Sequence, residues 1–428
     1  MNTKLSRIVH ITPHLGGGVG KALCALVEAS DANFFQHIFL LIERPEKTQF
    51  LDKLMALGGE LIIAPNAEQV EQLISSADIV QIEWWNHPAI FKFICEQRMP
   101  PMRLLIWCHI SGLHTPVIPP MLIEVADSFL LTSPCSFLAS SIANLHDKKK
   151  KKISVVSSGT GLSTLIHRSN SLDPQLNAGY IGSFNFSKLH PNFVQYLAAV
   201  DIPDFQIRAW GDEINREFLI KQCIKAGKPH LLNFAGYTMD VTNALSTLNV
   251  FVYLLNPAHY GTAENVLIEA MSAGLVPIVL NNPAEMCIIE DHKTGLIVSS
   301  PSTFSSAIKW LENHPEERQK IANNAANLVN KKYTSSKIGK AMELNYRKVL
   351  NKKKHTINFR SFFGSDPAEW YLVCLDKIDV GKKNNNSDFS HFSLLDKTKG
   401  SIQHFLNYFP DNPKLQKLAN LLLDTNEI

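Results

Sequence analysis

The sequence predicts an α/β protein of two Rossmann-like domains, each a doubly wound parallel sheet, followed by a C-terminal appendage. Three observations carry this expectation. Short apolar runs of strand length alternate with helix-length amphipathic segments along residues 1–350, the pattern of parallel strands joined by crossover helices. A polar connector at 157–177, containing Gly159, Gly161 and Pro174, splits the alternation into two sets. At 428 residues and 45% hydrophobic content, the chain can fill two α/β cores with a remainder.

The first set, over 1–160, opens with a strand at 7–11, a glycine turn at 16–20 and a helix at 19–29 with its apolar stripe at Val19, Leu23, Leu26 and Val27. Further strands are predicted at 37–42, 60–63, 79–82, 104–108, 128–131 and 153–156. The second set, over 178–334, has strands at 178–181, 206–209, 231–234, 250–254 and 276–280. Helical periodicity then marks 302–313, 315–330 and 335–350. Beyond 355 the texture changes: 382–387, with three consecutive asparagines, reads as a flexible loop, while 359–375 and 401–423 carry enough aromatic and apolar residues to pack.

The formal net charge of +3 is too small to imply nucleic-acid binding. The dense basic run at 148–152 reads first as a solvated surface loop; its alternative is peripheral attraction to an anionic membrane face or a lipid-phosphate acceptor. No apolar run approaches the ~20 residues that span a bilayer, and 1–8 does not read as a signal peptide, so a cytoplasmic protein is expected. Seven scattered cysteines with no C-x-x-C spacing suit a reducing compartment and offer no zinc site.

Chemistry concentrates at 259–280. His259-Tyr-Gly261-Thr262-Ala-Glu264-Asn265-Val266 places polar residues at a turn and then opens a helix, and Glu269 lies one turn further in. A helix N-terminus offers unpaired N–H groups and positive dipole to a diphosphate, and a carboxylate nearby can accept from vicinal sugar hydroxyls. Gly274 ends the helix and 276–280 is a short buried strand. Elsewhere, Gly16-Gly17-Gly18-Val19-Gly20 follows a strand and opens a helix, so backbone N–H groups can approach a ligand without a Cβ in the way. His109 stands at the carboxyl end of a strand, where open α/β sheets bind ligands. The segment 81–88 offers Glu83, Trp84, Trp85 and His87 on one expected loop, a combination suited to a sugar acceptor, with aromatic anchoring of the loop as the alternative.

The 259–280 segment resembles the donor-binding motif of retaining GT-B glycosyltransferases, the group 1 or family 4 enzymes. Glu269 fills the second motif glutamate, Ala270-Met271-Ser272-Ala273-Gly274 the helix end, Pro277-Ile278-Val279 the strand and Gly295-Leu296-Ile297-Val298 the last piece. Gly261 stands where the first glutamate is usual, with His259 or Glu264 as replacements for its contact with the donor sugar. The glycine turn resembles the family's Gly-Gly-x-Gly loop. The segment 180–191 resembles its Gly-Arg-Leu…Lys-Gly stretch, with Lys188 in place of the lysine and Ser183 in place of the arginine. His190 and Arg208 are the candidates to make up the lost cation.

This resemblance implies a two-domain GT-B fold over about 1–350, with residues 335–355 crossing back to the N-terminal domain and 356–428 left as an appendage. It implies transfer of a sugar from a nucleotide-diphosphate sugar to a hydroxyl on a glycan or lipid-linked acceptor, with retention. Bacterial polysaccharide or lipopolysaccharide assembly is the setting it suggests. His109, Lys188 and Glu269 are the expected catalytic residues. Gly17, Gly18, Gly211, His259, Gly261, Thr262, Glu264, Asn265 and Val266 would line the donor site, and Glu83, Trp84 and His87 the acceptor site. With no D-x-D at a strand end, neither metal nor cofactor is expected. A glycosyltransferase-like binder without turnover is the alternative, motivated by Gly261 and Ser183. A nicotinamide-dependent oxidoreductase, with Glu43 on the ribose, is weakened by Lys21 where the third glycine of a dinucleotide fingerprint belongs.

Overall fold

The computed structural model describes residues 5–45, 48–162, 174–262, 264–376, 398 and 400–424. The connector residues 163–173 and the asparagine-rich stretch 382–387 lie outside these. Two compact units are present: the first comprises Met1–Ser158, Tyr260–Thr262 and Ser335–Ile428, the second Gly159–His259 and Ala263–Thr334.

The first unit is built on a seven-stranded parallel sheet in the order β3-β2-β1-β4-β5-β6-β7. The strands are β1 (Ser6–Thr12), β2 (Phe35–Leu41), β3 (Glu60–Ile63), β4 (Ile79–Trp84), β5 (Leu104–Cys108), β6 (Ser128–Leu131) and β7 (Ile153–Val155). Side chains alternate between its faces. Val9, Ile11, Ile38, Leu40, Val80 and Ile82 join one core; Ile8, Phe39, Ile79, Leu105 and Trp107 join the other. The helices Gly17–Ala29 and Ser335–Leu350 pack together, and both contribute to this second core. Gly339 permits close approach, since a Cβ there would lie 2.7 Å from both the Cβ and the carbonyl oxygen of Ala29.

The appendage joins the opposite core, and its aromatic residues explain why. Helices Phe359–Phe363, Pro367–Leu372 and Ile402–Tyr408 contact the helix Pro88–Glu96, with Phe359, Phe363, Trp370, Tyr371 and Phe405 all buried. Burying an aromatic side chain contributes roughly 1.5–3 kcal/mol, so this cluster makes the appendage integral to the first unit.

The second unit carries a six-stranded parallel sheet, β10-β9-β8-β11-β12-β13. Its strands are β8 (Ala178–Ile181), β9 (Ile207–Trp210), β10 (Leu232–Gly236), β11 (Val250–Tyr253), β12 (Val276–Leu280) and β13 (Leu296–Val298). The helix Glu264–Ser272 connects β11 to β12 and ends, as expected, at Gly274 in the left-handed region, φ 72°.

The seven cysteines form no disulfide among the described residues. No helix among those residues is long and apolar enough to cross a membrane. Of the basic run, Lys149 pairs with Glu124, Lys150 donates to the carbonyl of Ala143, and Lys152 donates to the carbonyls of Glu124 and Ala126. Three of the five lysines are thus tied to the protein's own surface.

Candidate functional site

In the first unit the helix Gly17–Ala29 starts two residues earlier than the periodicity placed it, so Gly17 and Gly18 are in its first turn. Gly17 takes φ 62° with open space around a would-be Cβ, whereas a Cβ on Gly20 would come 2.2 Å from the Leu15 carbonyl oxygen. Gly20 is therefore required by packing, and Gly17 leaves its side of the helix N-terminus unobstructed.

His109 follows β5 directly, and its Nε2 lies 2.8 Å from Oε2 of Glu83. Glu83 is fully buried, with Oε1 2.7 Å from Nε2 of Gln81 and 3.2 Å from Nδ1 of His10. The sequence reading put Glu83 and Trp84 on an exposed loop; both belong to β4 and have no exposure. Trp84 points into the opposite core, 4.9 Å edge-on from Phe91 and stacked 6.3 Å from Phe363. Burial pushes the Glu83 carboxyl up, but the hydrogen bonds from His10 and His109 outweigh it and hold the group below its ordinary value.

His87 is buried and belongs to another cluster. His14, Glu43 and His87 bring their ligand-type atoms within 4.8 Å of one another, a spacing that fits a metal ion. Their hydrogen bonds argue for a different use. Nδ1 of His14 accepts from the Gly16 N–H at 3.0 Å, and Nδ1 of His87 accepts from the Ala89 N–H at 3.1 Å, which puts the proton of each neutral ring on Nε2. A histidine bound to metal through Nε2 normally donates from Nδ1, the reverse of this arrangement. The appendage adds His404, whose Nδ1 accepts from the Gly400 N–H at 2.9 Å and whose ring meets His87 edge-on at 4.5 Å. It also adds Tyr408, pushed up to about 12 by burial and then by the charge of Glu43. Trp85 touches this group, 5.7 Å from His14 and 6.4 Å from His109 between ring centres.

Residues Tyr260–Thr262, which include Gly261, group with the first unit. The Tyr260 carbonyl accepts from Ser111 N at 2.9 Å, and Thr262 Oγ1 lies 3.4 Å from Thr132 Oγ1.

In the second unit the carboxyl ends of the strands are crowded with backbone. A Cβ on Gly211 would come 2.1 Å from the Gly182 carbonyl oxygen, and one on Gly182 would come 2.5 Å from the Tyr180 hydroxyl. Tyr180 in turn donates to the Ser183 carbonyl at 2.6 Å, and Ser183 Oγ accepts from the Asn185 N–H at 3.1 Å. The position held by arginine in the family's motif thus serves here to close the loop.

Lys188 is partly buried. Desolvation lowers its pKa, opposed by the negative charge of Glu285. Glu285, on the short helix Pro283–Met286, is fully buried, and its Oε2 lies 3.2 Å from Nε2 of His259 while Oε1 accepts from Asn282 Nδ2 at 3.0 Å. Nδ1 of His259 is buried without a hydrogen-bond partner, as is Oδ1 of Asn265 in the first turn of the helix Glu264–Ser272. Buried polar atoms are seldom left so, and both suit a ligand hydroxyl or N–H. Glu269 is half-buried on the same helix, with Val266 nearer its start.

Neither candidate replacement for the missing arginine meets that role. His190 is pushed down to about 4 by burial and is neutral, with Nδ1 accepting from the Asn192 N–H. Arg208 stacks on Trp210 at 4.9 Å and lines a cavity of about 420 Å³ with Asn177, Ala178 and Gln206, at the amino ends of the strands. Sequence reasoning missed Glu285, and also Asn256, a fully buried residue that ties this corner together. Asn256 donates to the Phe186 carbonyl at 2.7 Å and accepts from the Ala258 N–H at 2.8 Å. Its signal in the sequence is a polar residue directly after the apolar run 250–255.

Residues 164–328 match the family model of glycosyl transferases group 1. The match spans most of the second unit, including Lys188, His259, Glu269 and Glu285. Among solved structures, a glycosyltransferase from Rickettsia africae is similar with a TM-score of 0.61 and 12% identity, covering 82% of this chain and 100% of that one. Anabaena Alr3699/HepE in complex with UDP and glucose is similar with a TM-score of 0.63 and 14% identity, covering 80% and 99%. The lipopolysaccharide outer core galactosyltransferase WaaB in its apo form gives 0.53 and 15%, covering 79% and 98%. The chain has the GT-B fold. Its two parallel-sheet units are the two Rossmann-like domains of that fold, and the appendage is an addition to the first. No curated protein matches the chain by sequence.

Proposed function

We propose that this GT-B chain is a retaining glycosyltransferase that moves a sugar from a nucleotide-diphosphate sugar to a hydroxyl on a glycan or lipid-linked acceptor. The observation that carries the reading is the coincidence of the group 1 match with a unit in which Lys188, Glu285 and His259 converge and two buried polar atoms lack partners.

In this reading the bond from the anomeric carbon to the β-phosphate oxygen breaks, with its electron pair leaving on the diphosphate. The acceptor oxygen forms the new bond on the same face, and its proton passes to the departing phosphate oxygen. Lys188 and the helix N-terminus at Glu264–Val266 balance the charge that grows on the leaving group, a task that requires no metal. Glu269 holds the ribose hydroxyls, with Gly211 and Thr262 at the rim of the donor site. His259, with its proton turned to Glu285, offers Nδ1 as the acceptor that Gly261 cannot supply, and Glu264 is the alternative. His109, Gly17 and Gly18 contribute from the first unit, and His87 belongs to the acceptor end. The WaaB likeness supports lipopolysaccharide assembly as the setting to test first, and the HepE likeness supports UDP-glucose as the first donor.

A screen of nucleotide sugars, UDP-glucose first, for thermal stabilisation and hydrolysis tests the proposal. Glu269→Ala should abolish transfer and leave the melting temperature unchanged. A second reading, a nucleotide-sugar binder without turnover, draws on Gly261 and Ser183 standing where the motif has a glutamate and an arginine. Stabilisation by a donor with no transfer to any acceptor would favour it.

A further inference from the structure

The buried polar groups of the first unit form one line. Strand alternation and register put His10, His37, Gln81 and Glu83 on the same face of the sheet: His10 is opposite Gln81, His37 is opposite Ile8, and Glu83 lies two residues beyond Gln81. The contacts run from Ser30 Oγ to His37 Nε2 at 2.8 Å, from His37 Nδ1 to His10 Nε2 at 2.8 Å, and from His10 Nδ1 to Glu83 Oε1 at 3.2 Å. They continue from Glu83 Oε2 to His109 Nε2 at 2.8 Å. Tyr346, from the helix Ser335–Leu350, closes the line by donating to Gln81 Oε1 at 2.7 Å.

With the His10 ring neutral, a single proton assignment satisfies every contact. Burial, and then His10, hold His37 well below the usual histidine range, so its ring is neutral. With Glu83 ionised, the Ser30 hydroxyl donates to His37 Nε2, His37 Nδ1–H to His10 Nε2, and His10 Nδ1–H to Glu83. Gln81 and His109 Nε2–H supply the remaining donors. No lysine or arginine pairs with Glu83 among the described residues, so N–H groups alone solvate a buried anion. His109 Nδ1 makes no hydrogen bond among the described residues.

We propose that Glu83 is a positioning residue: it fixes the His109 proton on Nε2 and leaves Nδ1 as the ring's acceptor towards substrate, while His10 and Gln81 keep the carboxylate ionised. The substrate part rests on His109 belonging to the transfer site, as proposed above; the tautomer does not.

Two measurements separate the two claims. In protein labelled with ¹⁵N-histidine, the His109 ring signals are those absent from His109→Gln, and the expected pattern is protonated Nε2 with unprotonated Nδ1. A proton on Nδ1 would overturn the proposal before any variant is assayed. With a donor in hand, Glu83→Gln should lower kcat at least about tenfold, since an amide cannot accept from His10, Gln81 and His109 together, while donor KM stays near native. An unchanged kcat would also overturn it. His10→Phe, which keeps the stacking on Phe39, removes one donor and should shift the acid limb of kcat/KM to higher pH. The groups facing Glu83 that titrate with it are His10, His109 and, through Gln81, Tyr346. If His109→Gln turns over normally, the transfer-site role of His109 fails and the tautomer result stands.

Discussion

His259 and Glu285 repeat in the second unit the pairing that His109 and Glu83 make in the first. In each, the imidazole Nε2 meets a wholly buried carboxylate, at 3.2 Å and 2.8 Å respectively, and Nδ1 has no partner among the described residues. A buried carboxylate is costly to desolvate, so two such pairs in separate units point to the orientation of the rings.

For His259 the consequence is a division of labour with Glu285. His259→Ala should raise donor KM and lower kcat, because it removes the acceptor for a sugar hydroxyl. Glu285→Gln should produce a smaller version of the same change. Transfer kinetics on both variants check this, and a native kcat/KM in His259→Ala would transfer the role to Glu264.

Lys188→Ala should reduce kcat by about 10²–10³-fold, the usual cost of losing one group that stabilises developing charge. Donor affinity should change far less, since the charge grows in the transition state. A loss confined to KM would make Lys188 a binding residue.

Chelation should leave transfer intact. Activity after EDTA treatment, measured with and without added Mn²⁺, tests whether the lysine and helix N-terminus suffice. Complete loss, restored by Mn²⁺, would sink this account of the leaving group.

Stability should fall at acid pH in a way that involves Glu83. Its folded pKa lies below the ordinary carboxylate value of the unfolded chain, so its contribution is fully present above that ordinary value and is lost as pH falls through the lower folded value. Asp366, held below its ordinary value against the effect of its partial burial by hydrogen bonds from Ala368, Lys414 and Asn412, adds in the same direction. Urea unfolding from pH 7 to pH 3 should show a shallower decline in Glu83→Gln than in the native protein.

Trp370→Ala should cost about 3–5 kcal/mol, the range for removing a buried large aromatic side chain. Its ring is fully buried against Phe91 and Phe409, and its Nε1 donates to the Gly364 carbonyl at 3.1 Å. Denaturant titration measures the loss. A change under ~1 kcal/mol would mean the appendage is a loose attachment rather than part of the core.

Much of the fold was legible because each strand is a short apolar run with its own punctuation. Glu60–Ile63, Leu104–Cys108, Ser128–Leu131, Ala178–Ile181 and Val276–Leu280 agree residue for residue with their predicted spans. The position of His109 beyond a strand end was legible for the same reason. The pairings were not. Glu285 lies 26 residues from His259, and Glu83 lies 73 from His10, separations that only the sheet topology brings together. A signal existed in the polar residues at alternate positions of otherwise apolar strands, Gln81 with Glu83 and His10 beside His37. Glu83 and Trp84, expected on a loop, belong to β4, which runs two residues past its expected end.

The helix Ser335–Leu350 has a consequence for how the chain is made. Strand β1 and the helix that covers this face of its sheet belong to one unit, yet the whole second sheet is synthesised between them. Until Tyr346 arrives, the line from Ser30 to Glu83 lacks its covering helix and lies open to water, where neither its proton order nor its ionisation is set. The first sheet therefore cannot complete this face as it emerges: it must wait, partly solvated, until residues 335–350 have been made.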